Sequence, residues 1–170
     1  PSNGYWYLYQ STEGIKYFPW GFSTDTVAAA HFDNDGKTDF GVFRDGTWHG
    51  WSSLLSSWRP IQLGTAADKP MPADLDELGP TIQDQLVRGV RGGVAKWFIR
   101  EGQYVIHQGP WQPREYTLVG ELPADKPVTG DFNGDSRDEF GYFQNGRWYT
   151  VDYFSYAPPK EFQWGLAGDI

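Results

Sequence analysis

The stretch HFDNDGKTDFGVFRDGTWHGWSS, residues 31–53, joins an acidic loop to an aromatic-rich segment of alternating polarity. Its first nine positions alternate acids around a glycine: Asp33, Asp35, Gly36 and Asp39. The alternation that follows is typical of half-buried β-strands. Asp45-Gly46 interrupts it and predicts a two-residue hairpin, because both central residues of a type I′ turn need positive φ. The stretch therefore predicts an acidic loop that leads into a β-hairpin.

The same pattern returns 100 residues later in the chain. GDFNGDSRDEFGYFQNGRWYTVDYFS (130–155) aligns with AHFDNDGKTDFGVFRDGTWHGWSS (30–53), and a lengthened third copy occupies 69–102. A second marker, an aspartate shortly after a glycine, recurs at intervals of 43, 57 and 44 residues: Asp25, Asp68, Asp125 and Asp169. The chain is therefore built from repeats.

Each repeat predicts four short strands, and a unit of about 40–45 residues is the length of one β-propeller blade. One such sheet cannot cover its own apolar faces, so neighbouring sheets must stack on it. We expect an all-β fold, a single β-propeller segment of about three and a half blades over residues 1–170. The expected blade parts are 3–21 (partial), 22–64, 65–120 (lengthened), 121–165 and 166–170 (the start of another blade).

The amino-acid composition favours β-strands and excludes some classes of binding partner. Aromatic residues make up 18% of the chain, and the 21 glycines and 12 prolines suit tight turns. A net charge of −8 disfavours a phosphate backbone, so we expect no nucleic acid partner. The chain has no cysteine, which excludes disulfides and thiolate metal sites. No apolar run is long enough to predict a membrane span.

These motifs resemble the FG-GAP/VCBS repeats of integrin α-subunit propellers and of many bacterial surface or secreted proteins. The matching features are the acidic loop, the alternating strand, the Gly-Thr-Trp or Gly-Arg-Trp start, and the Trp-Gly-x-x-x-Asp close. The resemblance implies a propeller, calcium in some acidic loops, and a role in adhesion or ligand recognition. It also implies an extracellular or cell-surface location.

The pattern breaks off inside a blade at both ends. Residues 3–21 match a third and a fourth strand, and WGLAGDI (164–170) stops where another first strand would begin. An open arc would expose blade faces and strand edges. We therefore hypothesise either a portion of a larger propeller or a protomer that completes a ring with other copies. The partners would be those copies or the remainder of the propeller.

The acidic loops supply the hard oxygen ligands that Ca²⁺ prefers. In the last acidic loop (131–139) the candidate ligands are Asp131, Asn133, Asp135, the carbonyl of Arg137, and Glu139. Ser136 replaces the turn glycine there, which implies slight strain. In the first acidic loop (31–39) the candidates are Asp33, Asp35, the carbonyl of Lys37, and Asp39. His31 stands at its first position, where imidazole suits Ca²⁺ poorly, so the sequence favours the last loop.

The middle acidic loop (74–84) keeps Asp74, Asp76 and Asp84, but Leu78 takes the third ligand position. We expect no metal there in the same geometry. An alternative for all three loops is that they are ordinary β-turns, since Asp and Asn favour turns. A bound ion would be structural, because it would neutralise clustered carboxylates and fix a turn.

Most tryptophans fall at repeat-equivalent positions, which favours packing between blades over stacking on sugars. Trp111 is the exception, because it lies in the extra segment of the middle repeat. We take Trp111, with His107 and Arg114, as the candidate ligand-binding residues. The ligand would be a glycan or a protein.

No Ser-His-Asp or His-x-x-x-His pattern involves the three histidines. The sequence therefore predicts a non-enzymatic, calcium-stabilised propeller for adhesion or recognition, plausibly lectin-like. Two alternatives stay open. One is an accessory or catalytic part of an extracellular, polysaccharide-active enzyme, and the other is a purely structural assembly scaffold.

Overall fold

The fold is all-β. A computed structural model describes residues 3–10, 12–33, 35–52, 56, 60–76, 82–102, 113–155 and 157–169. Within these ranges there are fourteen strands and no helix. Accordingly, no helix in the described part of the chain could cross a bilayer. Leu78, His107 and Trp111 lie outside the described residues.

The strands form four antiparallel sheets, in which neighbours along the chain are neighbours in space. Sheet 1 has two strands: β1 (Tyr5–Gln10) and β2 (Gly14–Pro19). Sheet 2 has four: β3 (Thr26–Val27), β4 (Phe40–Arg44), β5 (Thr47–Trp51) and β6 (Ile61–Gln62). Sheet 3 has four: β7 (Lys69–Pro70), β8 (Gln85–Arg91), β9 (Val94–Arg100) and β10 (Arg114–Tyr116). Sheet 4 has four: β11 (Lys126–Gly130), β12 (Glu139–Gln144), β13 (Arg147–Val151) and β14 (Lys160–Gln163). Each predicted repeat is thus one sheet.

The central hairpins turn as the sequence predicts. Asp45 and Gly46 have φ values of 51° and 83°, and the turn between β12 and β13 repeats them with 53° and 83°. Positive φ at both central residues is the type I′ conformation, which matches the right-handed twist of the strands. The prediction of two-residue hairpins at Asp-Gly and Asn-Gly is confirmed.

Four aspartates close the turns that end one repeat and begin the next. In each turn the carboxylate accepts the backbone N–H three residues earlier, at 2.6–2.8 Å. The four acceptors are Asp25, Asp68, Asp125 and Asp169. This local bond from side chain to backbone explains why the sequence repeats an aspartate at this spacing.

The first two of these aspartates also form ion pairs with the second strand of their own sheet. Arg44 donates to both oxygens of Asp25 at 2.6 Å, and Arg91 contacts Asp68 in the same bidentate way. Burial alone would raise the pKa of Asp25, but Arg44 holds it below its ordinary value. Gly89 leaves room for the Arg91 contact, since a Cβ there would lie 1.9 Å from the Oδ1 atom of Asp68.

The core lies between successive sheets. Phe40 packs on Trp6 and Phe18 of sheet 1, with ring centroids 5.0 and 4.8 Å away. Phe140 is the repeat equivalent of Phe40. It packs on Trp97 and Tyr116, which lie in the third and fourth strands of sheet 3. Buried clusters around Trp48 and around Trp97 join sheet 2 to sheet 3 and sheet 3 to sheet 4. The described tryptophans of this core therefore pack between sheets, as the sequence predicts.

Sheet 3 departs from its neighbours at one core position. Phe43 and Phe143 face Trp48 and Trp148 across the central hairpin, whereas Arg88 faces Trp97. The Arg88 guanidinium is buried; its Nε lies 2.9 Å from Oε1 of Glu121, and its other nitrogens donate to the Leu122 and Pro123 carbonyls. Glu121 also accepts the indole N–H of Trp97 at 2.8 Å. A polar network thus replaces an aromatic pair.

Replacing Gly41 by alanine tests how closely β4 packs against the residue that follows β3. A Cβ there would lie 2.2 Å from the carbonyl oxygen of Ala28, so we expect the free energy of unfolding to fall by about 3 kcal/mol. The control is Gly93→Ala in the β8–β9 turn, where the added methyl meets open space and only positive φ costs about 1 kcal/mol. Urea denaturation followed by tryptophan fluorescence gives both values, and equal losses would contradict the packing described.

Candidate metal site

The first acidic loop is anchored at both ends. Ala30 and Asp39 form an isolated antiparallel bridge, in which the Asp39 N–H donates to the Ala30 carbonyl at 2.7 Å. Between them Phe32 is buried against Trp48, with ring centroids 5.9 Å apart. An aromatic anchor and a closed neck hold the short chain between them in a tight turn. Its acidic side chains are therefore forced together.

Three carboxylates meet inside this loop. One oxygen each of Asp33, Asp35 and Asp39 lies within 4.8 Å of the others. One oxygen of Asp39 accepts the N–H of Phe32 at 2.8 Å, and Oδ1 of Asp33 accepts the N–H of Asp35 at 2.9 Å. Asp33 is only 5% exposed, yet its Oδ2 is buried with no hydrogen-bond partner among the described residues. A buried carboxylate oxygen without a donor is costly, and a bound cation would satisfy this one.

The electrostatics of the three carboxylates also favour a bound cation. Burial raises the pKa of Asp39, and the like charges of Asp33 and Asp35 raise it further. Lys37 is an exposed side chain whose Nζ lies 3.7 Å from Asp35. A divalent cation would offset this repulsion, and three carboxylates fit the oxygen-rich shell that Ca²⁺ takes, with backbone oxygens and water completing it.

The last acidic loop uses its acids differently. Asp131 accepts the backbone N–H groups of Gly134, Asp135 and Ser136, at 2.6, 3.2 and 3.0 Å. Ser136 has a φ of 71°, the left-handed conformation that the missing glycine implied. The first candidate ligand therefore satisfies the backbone of its own loop.

The other acids of this loop have donors as well. The Asn133 amide donates to Asp135 at 3.1 Å and to Glu139, and the Arg137 guanidinium donates to Asp135 at 2.9 Å. Asp131, Asn133 and Asp135 are all exposed. Among the described residues, the group of three acidic or histidine side chains close enough to share an ion is that of the first loop. Although the sequence favoured the last loop, the geometry favours the first.

The middle acidic loop buries two aspartates, Asp76 and Asp84. Asp84 is 1% exposed and accepts the N–H groups of Leu75 at 3.0 Å and Gly102 at 2.5 Å. Burial raises its pKa to about 7, and the like charges of Asp76 and Asp74 add to the effect. Asp84 closes its loop as Asp39 closes the first, and both carboxylates accept backbone N–H groups.

Neighbouring loops are tied by a hydrogen-bond pair that the sequence does not reveal. His31 donates its N–H to the Gln83 side chain at 3.0 Å, and its carbonyl accepts the N–H of Gln83 at 2.6 Å. Asp74 and Asp138 repeat this pair, at 2.8 and 2.6 Å. We call each of these a junction pair. His31 thus begins a sheet-to-sheet contact, which gives it a role other than metal ligation.

Of the three candidate ligand-binding residues, only Arg114 lies in the described part of the chain. Its Nη2 is 3.3 Å from Oε1 of the buried Glu101, which also accepts the Tyr153 hydroxyl at 2.5 Å. Burial raises the pKa of Tyr153, and the hydrogen bond to Glu101 raises it further, so the hydroxyl stays protonated. A groove of about 370 Å³ lies between sheets 3 and 4 at this point. We call it the Arg114 groove; its lining includes Arg114, Tyr116, Tyr153, Phe154 and Ser155.

Calcium binding can be assigned to one loop by paired variants. At 100 times its dissociation constant an ion stabilises the fold by about 2.7 kcal/mol, so we expect Ca²⁺ to raise the melting temperature by about 5 °C or more over chelator. Asp33→Asn should abolish the shift, because it removes the unpaired oxygen. Asp135→Asn, in the last loop, is the matched control and should keep it. No shift with Ca²⁺, or an unchanged shift in Asp33→Asn, would refute the site.

Asp84 should make stability depend on pH in the absence of divalent ions. Its pKa is about 7 in the folded protein against an ordinary value of 3.8. Between these values the folded protein holds a proton that the unfolded chain has lost, so the free energy of unfolding falls as pH rises. We expect the loss between pH 4.5 and 7.5 to exceed that of Asp84→Asn by more than about 1 kcal/mol. Urea titrations in chelator measure both losses, and parallel pH profiles would contradict the assignment.

Comparisons with known proteins give no match from which the function of the site could be inferred. No protein-family profile, curated protein or solved structure matches the chain. The resemblance to FG-GAP/VCBS repeats therefore stays a prediction from the motifs.

Proposed function

We propose that the chain is an arc of a β-propeller in a secreted or surface protein, which recognises a ligand rather than catalysing a reaction. The observation that carries this proposal is the repetition of one contact. Two successive sheet junctions use the same junction pair, formed by residues at equivalent positions of successive loops. Sheets that add by one repeated contact accumulate in a regular array, which is how propeller blades are arranged.

Calcium has a structural part in this proposal. The first acidic loop opens directly into a junction pair, since His31 immediately precedes the anchored Phe32. An ion held by Asp33, Asp35 and Asp39 would fix the loop that makes the contact. It would stabilise the array and take no part in a reaction.

The Arg114 groove is the proposed recognition surface. Phe154 is 51% exposed at its rim, Tyr116 and Tyr153 add aromatic surface, and the Arg114 side chain is more than half exposed. Exposed aromatic faces beside a hydrogen-bonding cation suit the apolar face and the hydroxyls of a sugar. The ligand class we propose is a glycan.

An assembly scaffold is the second candidate, and one feature favours it. The outer face of sheet 1 exposes aromatic and apolar side chains in alternation, the most exposed being Tyr9 at 85%. Its members are Tyr5, Tyr7, Tyr9, Ile15 and Tyr17. A contiguous apolar face of this kind marks protein contacts.

Glycan binding separates the two candidates. We expect the chain to bind a subset of glycans on an array, and Phe154→Ala to weaken the best of them about tenfold through loss of one aromatic stack. Tyr17→Ala, which removes an equally exposed ring from sheet 1, is the control and should leave binding unchanged. Calorimetry with the selected glycan gives both affinities. Absence of glycan binding would leave the scaffold as the better proposal.

A further inference from the structure

The edge of β1 that faces away from β2 has no strand beside it in the described residues. Sheet 1 contains β1 and β2 alone, whereas in each other sheet the corresponding third strand lies between two neighbours. A cleft of about 690 Å³ follows this edge. We call it the β1 cleft; its lining includes Trp6, Leu8, Gln10, Thr38, Phe40 and Trp51.

The other junctions show what belongs in such a place. We call the first strand, acidic loop and second strand of a sheet its inner hairpin. At the junction of sheets 2 and 3, and again at that of sheets 3 and 4, the inner hairpin of the preceding sheet makes the contact. The first residue of that loop, His31 or Asp74, forms the junction pair. The partner in the next sheet directly precedes the acid that closes its loop; the partners are Gln83 and Asp138.

Thr38 is the third member of this equivalent set. It directly precedes Asp39, which closes the first acidic loop as Asp84 closes the middle one. Thr38 also lines the β1 cleft, so it faces the space where an inner hairpin of sheet 1 would lie. Its backbone N–H and side-chain hydroxyl are the donor and acceptor that a junction pair requires.

The rest of the cleft suits the same occupant. Trp6 and Phe18 already pack on Phe40, as Trp97 and Tyr116 pack on Phe140, so sheet 1 is seated on sheet 2 as its equivalents are. A strand edge presents alternating N–H and C=O groups that only an extended backbone can satisfy together. A small molecule would leave most of them unpaired.

We propose that the β1 cleft binds a β-hairpin of the inner-strand type found in the other three sheets. The second strand of this hairpin pairs with β1, and the first residue of its acidic loop forms a junction pair with Thr38. This inference rests on the stacking of repeats proposed above, and it does not depend on glycan binding.

A synthetic peptide of residues 125–145 is the probe, because it is such a hairpin taken from sheet 4. We expect saturable binding to the whole chain by calorimetry, and at least about tenfold slower hydrogen exchange at the β1 amides on saturation. The control peptide carries Gly141→Pro and Phe143→Pro, which remove donors between its own two strands and so prevent the hairpin, and it should not bind. Exchange of β1 that is unaffected by the first peptide would overturn the proposal.

Variants of Thr38 test the junction pair itself. Thr38→Gln copies Gln83 and should tighten binding about fivefold, the value of one net hydrogen bond of about 1 kcal/mol. Thr38→Val keeps the shape, removes the hydroxyl acceptor and should weaken binding by a similar factor. Thr26→Val, outside the cleft, should have no effect. Equal affinities for all of these chains would refute the role of Thr38.

Two further readouts identify the cause of a failure. The amides of Gln83 and Asp138 report the existing junction pairs in the same exchange experiment. If they are protected and the peptide does not bind, this inference fails alone; if they exchange freely, the stacking of the proposed function fails with it. Dimerisation of the chain that protects β1 without peptide would show that a second copy occupies the cleft, which overturns the hairpin proposal.

Discussion

The reciprocal hydrogen bonds between successive acidic loops are the contact on which the arrangement of sheets depends. Apolar side chains such as Phe40 and Phe140 supply the attraction between sheets, but attraction between aromatic faces tolerates sliding. A junction pair involves backbone groups on both sides, so its geometry is fixed by the main chain. Because the same pair recurs at two junctions, the apolar clusters on either side of sheet 3 form in equivalent registers.

The three acidic loops share one backbone arrangement, but each accommodates its carboxylates differently. The first loop leaves three carboxylates facing one another. The middle loop gives its closing carboxyl group two backbone donors, and the last loop surrounds its acids with an amide and a guanidinium. The backbone requirement is common to all three, because in each the closing acid accepts an N–H near the loop entrance. The closing acid is therefore part of the fold, while the contacts of the remaining acids differ from loop to loop.

Much of the fold could be predicted from the sequence because its signals are local. Asp-Gly and Asn-Gly fix their hairpins through backbone conformation, and the alternation of apolar residues fixes which face of each strand is buried. The choice between acidic loops could not be predicted, since it depends on where the Asn133 amide and the Arg137 side chain point. The junction pairs were missed for another reason. They join residues 52 and 64 positions apart, and Thr38, Gln83 and Asp138 share only a side-chain oxygen acceptor, which many residue types provide.

The buried network of Arg88, Glu121 and Trp97 has a consequence for the order of the units. An array of similar units can assemble in the wrong sequence, with one unit skipped or exchanged for another. In the other three turns no acidic residue lies between the glycine and the aspartate, so none of them offers the second carboxylate that Glu121 provides. A shuffled arrangement would strand Arg88 without its counter-ion, at a cost of about 3–5 kcal/mol. One charged substitution thus distinguishes sheet 3 from the other sheets and pairs it with the turn that carries Glu121.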